Sequence, residues 1–200
     1  MLLNRMERVF MNNPLRGVVQ KRYEAKKLLR LGGPMDGGCA LEIGCGRGVG
    51  AGIILDLFGA DSVHAFDLDP SMVVLAQQRL SVYGSRAVVW VGDAGAISSP
   101  AMTYDAVFDF GMIHHVPDWR GVLEEIRRVL KPGGCFYAEE VLRSFIGNPM
   151  VRRVFEHPQV DRFDAEEFVQ GLESAGFEIL GMETLWGAFG WFSARRCAEA

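Results

Sequence analysis

Short apolar runs recur along the chain, separated by stretches in which apolar and polar positions follow the helical period. Five runs, Cys39 to Ile43, Ser62 to Phe66, Ala87 to Val91, Ala106 to Phe110 and Gly134 to Glu139, have the length and composition of buried strands. Between the last two, Arg120 to Leu130 puts Val122, Leu123, Ile126, Val129 and Leu130 on one helical face. Glu124, Glu125, Arg127 and Arg128 take the other. Strands alternating with helices build a parallel sheet covered on both faces, so an α/β fold is expected.

Boundary residues sharpen this outline. Asp69 before Pro70 reads as an N-cap with proline at the first helical position, opening a helix through Met72, Leu75, Ala76 and Leu80. Asp164 and Glu167 form a capping-box pattern for a helix over 165–175, with Gly176 as its stop. Lys131 to Gly134 reads as a plain turn. Two further strands are expected near Glu178 to Leu185 and Phe189 to Arg195, with Trp186, Phe189, Trp191 and Phe192 supplying core aromatics. An apolar pocket lining is the alternative for these four. Residues 141–163, with Pro149 and Pro158, predict a loop or short helix over the carboxyl edge of the sheet. No repeat or low-complexity linker breaks the pattern, so one domain is expected over 38–200, with 1–37 packed on it or capping it.

Composition narrows the class. The chain of 200 residues is 49% hydrophobic and 23% charged, which is globular rather than disordered. Its net charge of -4 argues against nucleic acid as a partner. The first 31 residues nevertheless carry Arg5, Arg8, Arg16, Lys21, Arg22, Lys26, Lys27 and Arg30 against Glu7 and Glu24. These read as a solvated helical face; a lid touching an acidic substrate or a membrane surface is the alternative. No apolar stretch is long enough to span a membrane, and charges interrupt the start where a signal peptide needs apolar residues, so a cytoplasmic location is expected. Cys39, Cys45, Cys135 and Cys197 show no ligand spacing, which predicts reduced thiols and no metal site.

The chemistry concentrates where strands end. Glu42-Ile43-Gly44-Cys45-Gly46-Arg47-Gly48 leaves the first strand, and its glycines let backbone amides approach a ligand. A nicotinamide-binding turn uses a similar pattern, with Gly44, Gly46 and Gly50 as its glycines. Asp67 ends the second strand, where a carboxylate can accept hydrogen bonds from ribose hydroxyls of an adenosine cofactor. Asp93 follows the third strand at the same sheet edge.

Together with Tyr104 to Asp118 and Arg128 to Gly134, these residues resemble the class I S-adenosylmethionine-dependent methyltransferases, in particular the methyltransferase type 11 group, over roughly residues 38–140. The resemblance implies a Rossmann-like seven-stranded sheet with the last strand antiparallel and helices on both faces. It implies S-adenosylmethionine as cofactor and S-adenosylhomocysteine as product. Glu42, Gly44, Cys45, Gly46 and Gly48 would form the cofactor loop, Asp67 the ribose acid and Asp93 the adenine-side acid. Leu68 and Ala94 would flank the adenine, and Gly111 and Met112 would lie near the methionine part. The expected activity is direct methyl displacement onto a small-molecule or lipid acceptor. A binding subunit that has lost transfer is the alternative. Alignment and exclusion of water suffice for some acceptors, whereas oxygen and carbon acceptors need a proton removed. His114, His115 and Asp118 are the candidates for that role.

Overall fold

The computed structural model describes residue 17 and residues 19–146 and 162–198. Seven apolar runs pair into one sheet of order β3-β2-β1-β4-β5-β7-β6. They are β1 (Cys39–Ile43), β2 (Ser62–Asp67), β3 (Ala87–Val91), β4 (Tyr104–Phe110), β5 (Leu130–Val141), β6 (Phe177–Leu185) and β7 (Phe189–Arg196). Strands β1 to β5 run parallel, and β7 is antiparallel to both β5 and β6. This is the Rossmann-like arrangement that the resemblance implies.

Alternation along the inner strands sorts side chains between two cores. Leu41, Ile43, Val107, Phe136, Ala138 and Phe192 face one side, Ala40, Phe108, Tyr137 and Trp191 the other. The first core is closed by α4 (Trp119–Val129) and α6 (Ala165–Ser174). The second is closed by α1 (Ala25–Gly32), α2 (Val49–Ile53, continued by a wider turn to Phe58) and α3 (Pro70–Leu80). Burial on both faces explains why the central strands read as continuous apolar runs.

The caps are as expected in kind. Asp69 accepts the Ser71 N–H at 2.8 Å at the head of α3, and Asp164 with Glu167 completes a full capping box on α6. Three sequence expectations change. Lys131 to Gly134 is not a plain turn outside the strand: β5 begins at Leu130, opposite Tyr104, and resumes at Cys135, opposite Ala106. The intervening residues bulge because Pro132 has no N–H to give the ladder and Gly133 takes φ +76°. Trp186 is not core; at the β6–β7 hairpin tip it is 88% exposed at φ +53°, while Trp191 and Phe192 are buried.

The third change concerns the basic leader. Lys27 is buried, its Nζ 2.9 Å from Glu183 of β6 and 3.9 Å from the centre of the Trp191 ring. Arg30 also reaches Glu183, and Lys21 pairs with Asp56. Helix α1 therefore docks on β5, β6 and β7 through Lys27, while Lys21, Arg22, Lys26 and Arg30 form the exposed charged face that was expected. Arg5, Arg8 and Arg16 lie outside the described residues. So does most of the expected loop of 141–163; its described start forms α5 (Arg143–Ile146). No helix among the described residues is long and apolar enough to cross a membrane.

Trp119 anchors the α4–α6 contact. It is almost fully buried against Phe163 and Phe168, ring centres 4.9 and 5.8 Å away, and lies over Gly171, where any side chain would collide with it. Trp119→Ala should lower unfolding free energy by about 3 to 5 kcal/mol. Urea denaturation measures this, and a loss below about 1 kcal/mol would show that the layer is not held by this side chain.

Candidate active site

At the carboxyl ends of β1, β2 and β4 lies a cavity of about 370 Å³, within the usual size range of small-ligand sites. Its floor is the turn after β1. Gly44, Gly46 and Gly48 have φ of +64°, +50° and +75°, a region that side chains disfavour. A Cβ on Gly44 would strike Met112, whereas one on Gly46 would meet nothing within 4 Å among the described residues, so the Cα side of Gly46 faces open space. Gly48 is not on the wall. It heads α2 in the left-handed conformation, with Leu80 and Ala76 of α3 packed close to it.

Asp67 is tied to this floor. Its Oδ2 accepts the Gly46 N–H at 2.8 Å and its Oδ1 the Asp69 N–H at 2.9 Å. Burial raises its pKa, while those two backbone donors pull it back. The Leu68 N–H is a third backbone donor, which leaves acceptor capacity on the carboxylate for a ligand hydroxyl. Leu68 sits beside it on the wall, 43% exposed despite being apolar. Asp93 lines the same end and accepts the Gly95 N–H at 2.9 Å, which stiffens its turn, and buried Ala94 follows it on the wall.

Glu42 enters from below. It is buried, with Oε1 pressed into the space where Gly50 lacks a side chain, and Oε2 has no donor among the described residues. Desolvation pushes its pKa well up, opposed by the Ala51 N–H and reinforced by Asp67. Cys45 is buried beside it on the wall, its thiol also pushed up by burial. Gly111 and Met112 close the opposite side, and the Met112 N–H is fixed by Asp109 Oδ1 at 2.8 Å.

The expected catalytic residues separate. His115 lines the cavity with Val116 and Pro117. His114 does not; it is buried, with Nδ1 2.5 Å from Glu140 Oε2. Asp118 is exposed and caps α4, accepting the Gly121 N–H at 3.1 Å. Sequence reasoning missed several wall residues, among them Gln20 and Gly17 from the leader, Arg47, Phe110 and Met72. It also missed Asp109 and Glu140, although an acid between Phe108 and Phe110 and another at the end of an apolar strand are visible signals of buried charge. Carboxyl groups outnumber basic ones on the wall, Glu42, Asp67, Asp69 and Asp93 against Arg47.

Comparison with known proteins agrees with this geometry. The methyltransferase domain family matches residues 40–134. An aklanonic acid methyltransferase from Streptomyces sp. (strain C5) is 30% identical over 183 residues, covering 80% of this chain and 83% of its own length. A fatty-acid O-methyltransferase from Mycolicibacterium smegmatis is 32% identical over 152 residues, 74% of this chain and 51% of its own length. A solved S-adenosylmethionine-dependent methyltransferase from Aquifex aeolicus superposes with a TM-score of 0.71 at 20% identity, covering 95% and 97% of the two chains. The chain spans only a quarter to about half of the length of several curated relatives it matches. It belongs to the S-adenosylmethionine-dependent methyltransferases.

Two outcomes are expected here. Asp67→Ala should weaken S-adenosylmethionine binding by roughly 1.5 to 3 kcal/mol, about ten- to hundredfold in Kd; calorimetric titration giving an unchanged Kd would take Asp67 out of the site. The second concerns Glu140, whose buried carboxyl is pushed up to about 7 by desolvation. A carboxyl raised by folding contributes stability that is complete below its ordinary pKa and lost as pH rises through the folded value. Denaturant midpoints should therefore fall between pH 5 and pH 8, by up to about 3 kcal/mol from this group. Glu140→Gln should flatten that slope, and an equal slope in both proteins would contradict the assignment.

Proposed function

We propose that this protein transfers the methyl group of S-adenosylmethionine, by direct displacement, to a small-molecule or lipid acceptor that loses a proton in the reaction. The observation that carries this reading is the continuity of one cavity from the glycine floor and Asp67 to His115, Val116 and Pro117. The residues fit the cofactor. The open Cα side of Gly46 leaves room for it, the donor-free Glu42 Oε2 suits an ammonium group, and the acidic wall suits a sulfonium. When bound, the cofactor supplies an electrophilic methyl carbon.

The protein's own part is alignment, exclusion of water and proton management. Asp67 and Asp93 hold the nucleoside end, and Glu42 with the Gly111–Met112 turn holds the amino-acid end. A bound S-adenosylmethionine would supply the methyl group to the acceptor atom and leave as neutral S-adenosylhomocysteine. His115 would take the acceptor's proton, so that the positive charge of the reactants ends on the imidazole. Relatives named for fatty-acid and aklanonic acid acceptors support a lipid or small-molecule acceptor.

The test is a screen of such acceptors with labelled S-adenosylmethionine, accompanied by calorimetry. Tight cofactor binding with turnover is expected; binding without turnover on any acceptor would favour the binding-subunit alternative. His115→Ala should reduce kcat about a hundredfold or more while the cofactor Kd stays within about twofold. Equal loss of both would make His115 a structural residue.

A further inference from the structure

On the α4 side of the sheet, behind the cavity wall, three ionisable side chains are packed together away from solvent. Asp109 on β4 and Glu140 on β5 are fully buried, and His114, on the turn Ile113–His115, nearly so. Well-packed apolar residues would stabilise such a core as well or better. Neither the cofactor loop nor the helix caps use these groups beyond the single Asp109 bond to Met112.

Their contacts form an ordered path. Asp109 and Glu140 are neighbouring carboxyls, each with one buried oxygen, Oδ2 and Oε1, that no N–H reaches among the described residues. Above about pH 7, once Glu140 has lost its own proton, one proton held between the two groups satisfies both oxygens and leaves the pair a single negative charge. Burial, and then the Glu140 charge, push Asp109 well up, which puts that proton on Asp109. Glu140 Oε2 receives the backbone N–H of His114 at 3.3 Å and meets its Nδ1 at 2.5 Å. The His114 ring lies 4.1 Å from that of His115, tilted by 38°. His115 is on the wall of the cavity. The path therefore runs from the interior to the site: Asp109, Glu140, His114, His115.

We propose that Asp109, Glu140 and His114 are positioning residues for His115, fixing its ring at the cavity wall and placing a buried negative charge behind it that stabilises the imidazolium formed during methyl transfer. This rests on the reading of His115 as the proton acceptor. The carboxylate of Glu140 orients the Nδ1–H of His114, and the packed pair of rings carries that orientation to His115. The charge that leaves sulfur thus reappears beside a counter-charge already in place, in surroundings where water cannot screen it. Other ionisable groups also stand around His115. Its turn packs on β5, which brings Glu139, and on α4, whose first turn brings Asp118 and Arg120. Asp118 is engaged as the helix cap, and Arg120 lies over the Trp119 ring at 4.1 Å. Across the cavity stand Glu42 and Asp67, engaged with the glycine floor and α2.

The experiment is nitrogen-15 NMR of the histidines in the full chain, with kinetics alongside. In the unsubstituted protein the His114 Nδ1 is expected to carry hydrogen; a bare Nδ1 would overturn the proposal. Glu140→Gln keeps the shape and removes the charge. It should lower the His115 titration midpoint by about one unit, equivalent to tenfold in proton affinity, and reduce kcat about tenfold with cofactor Kd within twofold. Asp109→Asn should leave the cofactor Kd within about threefold while reducing kcat. An unmoved His115 midpoint in folded Glu140→Gln, or loss of cofactor affinity matching the loss of kcat, rejects the positioning role. If Glu140→Gln does not fold, the His114 tautomer and Asp109→Asn decide. The NMR readings need no acceptor. Absence of turnover in the unsubstituted protein therefore sinks the functional reading, whereas normal turnover with an unmoved His115 midpoint sinks this one alone.

Discussion

The structure depends on β1 being hydrogen-bonded along both edges, to β2 on one side and β4 on the other. The chain runs outward from β1 through β2 to β3, then returns to place β4 on the other flank. The connections leave the sheet in opposite directions at this point, so beyond Ile43 the strand ends open into a cavity. The cavity is the result of that reversal. What lines it follows from strand register: Ile43, Phe66 and Asp109 are level in the sheet, so Gly44, Asp67 and Phe110 emerge together at one rim.

Having fixed a cavity, the fold places carboxyl groups on its wall and behind it. Glu42, Asp67 and Asp109 are held at strand ends in surroundings that favour their neutral forms, and the small residues around them set how closely they pack. Gly50 is the clearest case, since a methyl group there would occupy the position of the Glu42 carboxyl oxygen. A cationic ligand relieves part of this electrostatic burden. Ligand binding and conformational stability are therefore linked through the same carboxyl groups.

Much of this was legible from residue pattern. The five parallel strands, the capped helices α3 and α6, the glycine floor and the acids at 67 and 93 are local signals, readable from a few neighbouring residues. What was not legible depends on where a side chain points after the sheet has formed. Adjacent His114 and His115 look equivalent in the sequence, yet one turns into the core and the other onto the wall. Asp118 looks like a candidate base until α4 begins one residue later and takes it as a cap. Lys27 looks solvated until β7 brings Trp191 beneath it and β6 brings Glu183 alongside. The Lys131–Gly134 bulge likewise required knowing that β4 would pair on both sides of it.

Helix α1 rests on β5, β6 and β7: Lys27 reaches Glu183 of β6 and Trp191 of β7, and the Tyr137 hydroxyl of β5 donates to the Gly33 carbonyl just past the helix at 2.9 Å. Residues 17 and 20, just ahead of this helix, contribute to the cavity wall. During translation, β1 to β4 can assemble as each emerges, but the surface on which α1 docks is incomplete until β7 has inserted between β5 and β6. The leader's part of the cavity wall therefore depends on β6 and β7, which follow the strands that carry the floor and the acids. An incomplete nascent chain holds the glycine floor without the leader's part of the wall, which ties ligand competence to completion of the sheet.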